Sequence, residues 1–147
     1  MRQIQLTLLF AAIMLFMGCE KPVNNTLPEP SIAVTYKSIA GAWELTEWNN
    51  EPLIEGTYLY VAFDSKEHRF EMWDNIGSMY TQHKSGSYTI SQNDEGEYIL
   101  TGQYDNGVGD WANEYGVTLL QDGEAMTWRN GEELMLFSHI DSVPELN

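Results

Sequence analysis

QDGEAMTWRNGEELMLFSHI, residues 121–140, packs two turn signals and two strands into twenty residues. Asp122-Gly123 and Asn130-Gly131 each set a short polar residue before glycine, a pairing that accepts the positive φ angles of a two-residue hairpin turn. Between and after them, Ala125 to Arg129 and Glu133 to Ile140 carry the large apolar and aromatic residues of strands. Strand, tight turn, strand means antiparallel pairing.

The same pattern runs backward through the chain. Strands are expected at Ala42 to Trp48, Thr57 to Phe63, His68 to Asp74, within Met79 to Ile90 with an interruption around His83 to Gly86, Glu97 to Tyr104 and Tyr115 to Gln121. Polar turns such as Asp64-Ser65-Lys66 and Asn93-Asp94-Glu95-Gly96 separate them, and no stretch after residue 19 sustains a helical period. With the two strands above this makes eight. An open meander of that size would leave two long unpaired edges, which closure into a barrel removes. The expected fold is therefore all-β, a single antiparallel up-and-down eight-stranded barrel. Such a barrel is either just filled by its own side chains or holds one small ligand. Leu45, Phe70, Met72, Tyr88, Ile90, Leu100, Val117, Leu119, Met126, Trp128, Leu134 and Leu136 fall on plausible inward faces. Of these, Phe70, Met72, Tyr88, Leu100, Val117, Met126 and Trp128 are the candidates for lining a ligand; equally, such residues make a core.

At the other end of the chain, Arg2 precedes the uncharged apolar run LTLLFAAIMLFMGC, residues 6–19. This is the pattern of an export signal, and it is shorter than the roughly 20 residues of a membrane-spanning helix. Ending on Gly18-Cys19, it resembles a bacterial lipoprotein signal. The resemblance implies that residues 1–18 are removed and that Cys19 is acylated; the other reading is a secretory signal cut nearby. Pro22, Pro28, Pro30, Asn24, Asn25 and Ser31 make 19–37 an expected tether, the barrel domain occupying 38–141 and a tail 142–147. The expected location is the bacterial outer membrane or another cell-envelope membrane, with lipid as the membrane contact.

Beyond residue 18 the chain carries six basic and 22 acidic residues, a formal charge of −16. That balance excludes nucleic acid, whose affinity comes from neutralising phosphates with Lys and Arg, and leaves a cationic protein as a compatible partner. Cys19 is the one cysteine, so the fold holds without a disulfide.

Gly41-Ala42-Trp43 opens the first strand and Met126-Thr127-Trp128 forms a late one. With the eight-strand meander between, residues 39–141 resemble the lipocalins, and more closely the lipocalin-like domains of small lipoproteins from Bacteroidetes. The resemblance implies that Trp43, with Gly41, plugs the closed base of the barrel and that a basic residue near the end, for which Arg129 is the candidate, packs across it.

Chemical sites are sparse. Asp105 to Asp110 with Glu114 supplies the oxygens and glycines of a calcium loop without EF-hand spacing, and exposed turns use the same residues. His68, His83 and His139 lack metal-ligand spacing. No nucleophile signature is present, so neither a catalytic residue, a metal nor a cofactor is expected, and the chain is not expected to be an enzyme. Asp141-Ser142-Val143 resembles the short pattern on which exported Bacteroidetes proteins are O-glycosylated, making Ser142 a candidate modification site. The leading expectation is a small apolar or amphipathic ligand at the open end of the barrel. The alternative is a solid barrel whose acidic surface meets a cationic protein, for instance as an inhibitor of a basic cell-wall enzyme.

Overall fold

Eight strands close on themselves: β1 (Gly41–Trp48), β2 (Leu59–Asp64), β3 (Arg69–Asp74), β4 (Gln82–Gln92), β5 (Tyr98–Tyr104), β6 (Tyr115–Leu120), β7 (Ala125–Asn130) and β8 (Glu133–Ile140). In this computed structural model, which describes residues 32–146, each strand pairs antiparallel with the next, and β8 returns to β1 from Ala42↔Ile140 to Trp48↔Met135. No sheet edge is left along the barrel wall. The export signal, Cys19 and the tether up to residue 31 lie outside the described residues.

The turns follow local side-chain chemistry. Asp64 Oδ1 accepts from the amides of Lys66 and Glu67 at 2.7 and 2.9 Å, and Asn93 Oδ1 accepts from Glu95 and Glu97 at 3.1 and 2.9 Å; both are the Asx geometry that makes these residues turn formers. Of the two Gly dipeptides, Asn130-Gly131 makes the expected two-residue turn, one residue further on, and Asp122-Gly123 makes a longer one. Asn130 pairs with Glu133, so the β7–β8 turn is centred on Gly131-Glu132 with Gly131 at φ +57°. Asp122-Gly123 sits in a four-residue loop, because the last pair before it is Leu120↔Ala125 and Gln121, Asp122 and Gly123 all take positive φ.

Two further expectations are corrected. β4 runs unbroken through His83–Gly86, in register with β3 from Asp74↔Gln82 to Arg69↔Ser87. Gly86 is not a break: a Cβ there would lie 2.7 Å from Phe70 Cε1 and overlap the Gln103 carbonyl, so glycine is what lets Phe70 pack against the wall. In β8 the inward residues are Met135 and Phe137, both buried, while Leu134 and Leu136 face outward. ELMLF is apolar on both faces, and a one-residue shift of register exchanges them.

Residues 32–40 cross one end of the barrel. Ile32 bridges Leu119, Val34 and Ile39 are buried, and Thr35 and Ser38 cap each other through side-chain oxygens at 2.8 and 3.0 Å. Tyr36 stacks on His68 with centroids 3.6 Å apart. The last residues assigned by composition to the tether, 32–37, thus belong to the barrel floor.

Candidate functional site

The floor is built around Trp43. Its indole is fully buried and donates to the Ile39 carbonyl at 2.9 Å, and His139, its partner in β8, meets the ring edge-on at 5.1 Å. Gly41 stands beside them with φ +106°, and a Cβ there would come within 3.0 Å of His139 Nε2. The basic ring across the plug is therefore His139. Arg129 lies exposed on β7, paired with Leu134 and Gly116, and takes no part.

Above the floor the interior is aromatic and dense. Phe63 lies 4.7 Å from Tyr88 and 6.1 Å from Trp128, and Trp128 lies 4.6 Å from Phe137. Phe70, Met72, Tyr88, Leu100, Val117, Met126 and Trp128 are all buried in this one cluster. Rings spaced 4.5–7 Å apart contribute both area and specific orientation.

Not every interior aromatic comes from a barrel strand. Trp111 belongs to the 105–114 connection, where Gly109–Asp110 pairs briefly with the end of β5 and the amide of Trp111 donates to Gly102 at 2.7 Å. Its ring turns inward, 4.9 Å from Phe70, 5.6 Å from Trp128 and 6.2 Å from Tyr115. Gly102 makes the room: a Cβ there would overlap the Trp111 indole. The indole N–H groups of Trp111 and Trp128 are both buried, and neither finds an acceptor among the described residues, an uncommon state for a buried donor.

The end opposite the floor is polar at its inner lip. Asp74 and Lys84 alternate with the outward residues of β3 and β4 and so face inward. Asp74 is 4% exposed, and its carboxylate accepts from Lys84 Nζ at 2.8 Å and from the Ile76 amide at 3.2 Å. Beside them, a cleft of about 290 Å³ separates the start of β4 from the turn after β5, bounded by Lys84, Tyr104, Asn106 and Val108 among others. The loops around this mouth display Ile54, Met79, Tyr80 and Val108, each at least 75% exposed.

Comparison with known proteins fits this architecture: the model of a lipocalin-like domain matches residues 39–128, more than half of the chain. The chain belongs to the lipocalin-like domain family. No curated protein and no solved structure gave a match.

In this lipocalin-like barrel the charged groups of the 105–110 turn are engaged with side chains of the neighbouring strands. Asp105 forms a two-pronged ion pair with Arg69, one prong at 2.8 Å, and accepts from Ser85 Oγ at 2.8 Å. The Arg69 hydrogen bond, with Ser85 next, holds the Asp105 carboxyl below its usual range and raises the Arg69 guanidinium above its own. Asp110 accepts from the Gln103 side chain at 3.1 Å. Among the described residues no three His, Cys, Asp or Glu side chains gather as a metal site would need, and the three histidines lie against three separate rings, Tyr36, Trp73 and Trp43. Ser142 lies exposed directly after β8. Trp111 was not among the sequence candidates, since a buried loop aromatic has no periodicity to reveal it; its one sequence signal is the glycine of β5 that it needs.

Proposed function

We propose that this chain is a lipid-anchored protein of the bacterial cell envelope, exported by residues 1–18 and held through acylated Cys19, whose lipocalin-like barrel binds a small apolar or amphipathic molecule rather than catalysing a reaction. Trp111 carries the reading. A side chain held by a surface connection, not by a strand, fills the interior next to the mouth, so it can leave without unpairing the wall. Its departure opens a space walled by Phe70, Tyr115 and Trp128 over Gly102. The apolar part of a ligand fits there, and a hydrogen-bond acceptor on it satisfies the unpartnered Trp128 indole. Its polar end lies towards Lys84 and Asp74. Tyr88, Leu100, Val117 and Met126 then serve as packing beneath the ligand, and Met72 stands near its polar end. The apolar run before Cys19 supports export, and exposed Ser142 is reachable by a glycosylating enzyme.

Native mass spectrometry of the full chain, released from detergent after incubation with an envelope lipid extract, tests this. A discrete extra mass that organic solvent removes is expected, together with a changed tryptophan emission; a bare mass in repeated extracts overturns ligand binding. The anchor is tested separately by fractionation: Cys19→Ser should move the chain from the membrane to the soluble fraction, and an unchanged distribution would refute acylation as the attachment.

A further inference from the structure

Register aligns four outward side chains in one row across the barrel wall. Glu44 of β1 faces Tyr60 of β2, Tyr60 faces Trp73 of β3, and Trp73 faces His83 of β4. Their sequence neighbours Leu45, Val61 and Met72 are buried, so the alternation of a strand puts this row on the outer surface. The row beside it is Ala42, Ala62, Glu71 and Ser85, three of them small, and Tyr60 and Trp73 stay partly exposed beside it. Trp73 stacks on His83 at 5.0 Å and 11°, on its β4 side, whereas Tyr60 stacks on Tyr58 at 5.5 Å. Each ring thus rests on a neighbour other than its partner across the β2–β3 pair. The loop joining β3 to β4 continues the patch with Met79 and Tyr80, 93% and 79% exposed.

Carboxylates border these rings. Glu44 lies 3.5 Å from the Tyr60 hydroxyl, and Glu71, half exposed, lies 3.6 Å from His83 Nε2. No lysine or arginine among these strands is free to answer them: Arg69 is tied to Asp105, and Lys84 faces inward to Asp74. Aromatic side chains outside a barrel gain little from folding, and a patch of them marks an interaction surface.

We propose that the outer face of β1–β4 docks a cationic protein segment, with an arginine side chain laid over Trp73 and its guanidinium paired to Glu71. Glu71 and Trp73 are two residues apart on the same face of β3, about 6.6 Å along the strand, within the span of one guanidinium and its stem. Arginine suits this better than lysine because its planar head both covers a ring face and donates in two parallel bonds to a carboxylate. The formal charge of −16 beyond residue 18 draws such a segment in before contact. The surface is separate from the barrel interior and does not depend on ligand binding there.

The test is titration of the full chain, in a non-ionic detergent, with a capped tetra-arginine peptide, followed by calorimetry and tryptophan emission at two salt concentrations. Tetra-lysine and a neutral oligosaccharide serve as comparison probes. Trp73→Leu and Glu71→Gln should each weaken tetra-arginine binding threefold or more, while Glu95→Gln, in the turn at the other end of the barrel, should leave it within experimental error. Tetra-lysine should bind more weakly than tetra-arginine. Equal losses in Glu71→Gln and Glu95→Gln would reduce the effect to general charge and overturn the assignment. So would absence of tetra-arginine binding, or oligosaccharide binding that depends on Trp73 in its place. Glu71→Gln changes no packed group, so its result stands even where Trp73→Leu lowers the melting temperature.

Discussion

The indole of Trp43 and the imidazole of His139 meet edge to face, 5.1 Å apart at 83°, at the point where β1 and β8 close the barrel. The contact joins the first strand of the wall to the last, and the Trp43 N–H bond to Ile39 adds the crossing segment 32–40. Trp43→Ala should therefore cost about 3–5 kcal/mol, the range for emptying a large aromatic site, read as a lower midpoint in urea. An unchanged midpoint would remove Trp43 from the floor.

Gly102→Ala places a methyl group where the Trp111 ring lies. Overpacking of this kind costs about 1–3 kcal/mol, and the strain belongs to the pair. In a Trp111→Ala background the same substitution should cost much less, a coupling that a double-mutant cycle measures directly. If Gly102→Ala costs the same in both backgrounds, Trp111 does not occupy the inner face of β5.

Asp105 makes stability depend on acid. Its carboxyl is held below the usual range by Arg69 first and Ser85 second, so its contribution is present above the ordinary carboxylate pKa of about 3.9 and is lost as pH falls through the lower folded value. Asp105→Asn should melt earlier than the parent at pH 7, and the difference should shrink as pH falls below the usual carboxylate range. A difference that stays constant over that range would mean the carboxylate charge is not what Arg69 holds.

What could be read from the chain, and what could not, follows from the range of the interactions involved. Strand positions were legible because turn residues and alternation are local: seven of the eight expected strands lie within two residues of those observed at each end. The exception is β4, expected within Met79 to Ile90 with an interruption around His83 to Gly86, whereas it runs unbroken over Gln82–Gln92. Glycine breaks a strand or lets something approach it, and only the position of Phe70, sixteen residues earlier, decides between the two. The face of β8 was ambiguous for a related reason, since both faces of ELMLF are apolar and the choice rests on pairing with β1 and β7. At the base, Trp43 was visible from its motif, but its partner depends on that same register and proved to be His139. Trp111 was hidden altogether, because nothing in DWANEY distinguishes a ring turned into the barrel from one left in solvent.

Tyr88 contributes to stability at alkaline pH. Its hydroxyl donates to the Asp64 carbonyl at 3.2 Å, while its ring packs between Tyr36 and Phe63. Burial, then the neighbouring Tyr36 and Asp64, pushes its pKa from 10.0 up to about 12. The neutral phenol is thus favoured by the fold, and its contribution is fully present below pH 10, then lost as pH rises through about 12. At pH 7, Tyr88→Phe gives up one hydrogen bond, about 1 kcal/mol. Between pH 10 and 12 the parent loses stability through this group while the variant does not, so the gap between their urea midpoints should close. Tyr60 and Tyr115, whose pKa values burial also raises, titrate in both proteins and cancel in the comparison. A gap of constant size from pH 7 to 12 would show that the Tyr88 hydroxyl ionises in the folded protein as readily as in the unfolded one, which a phenol enclosed among Tyr36, Phe63 and the backbone of Asp64 should not do.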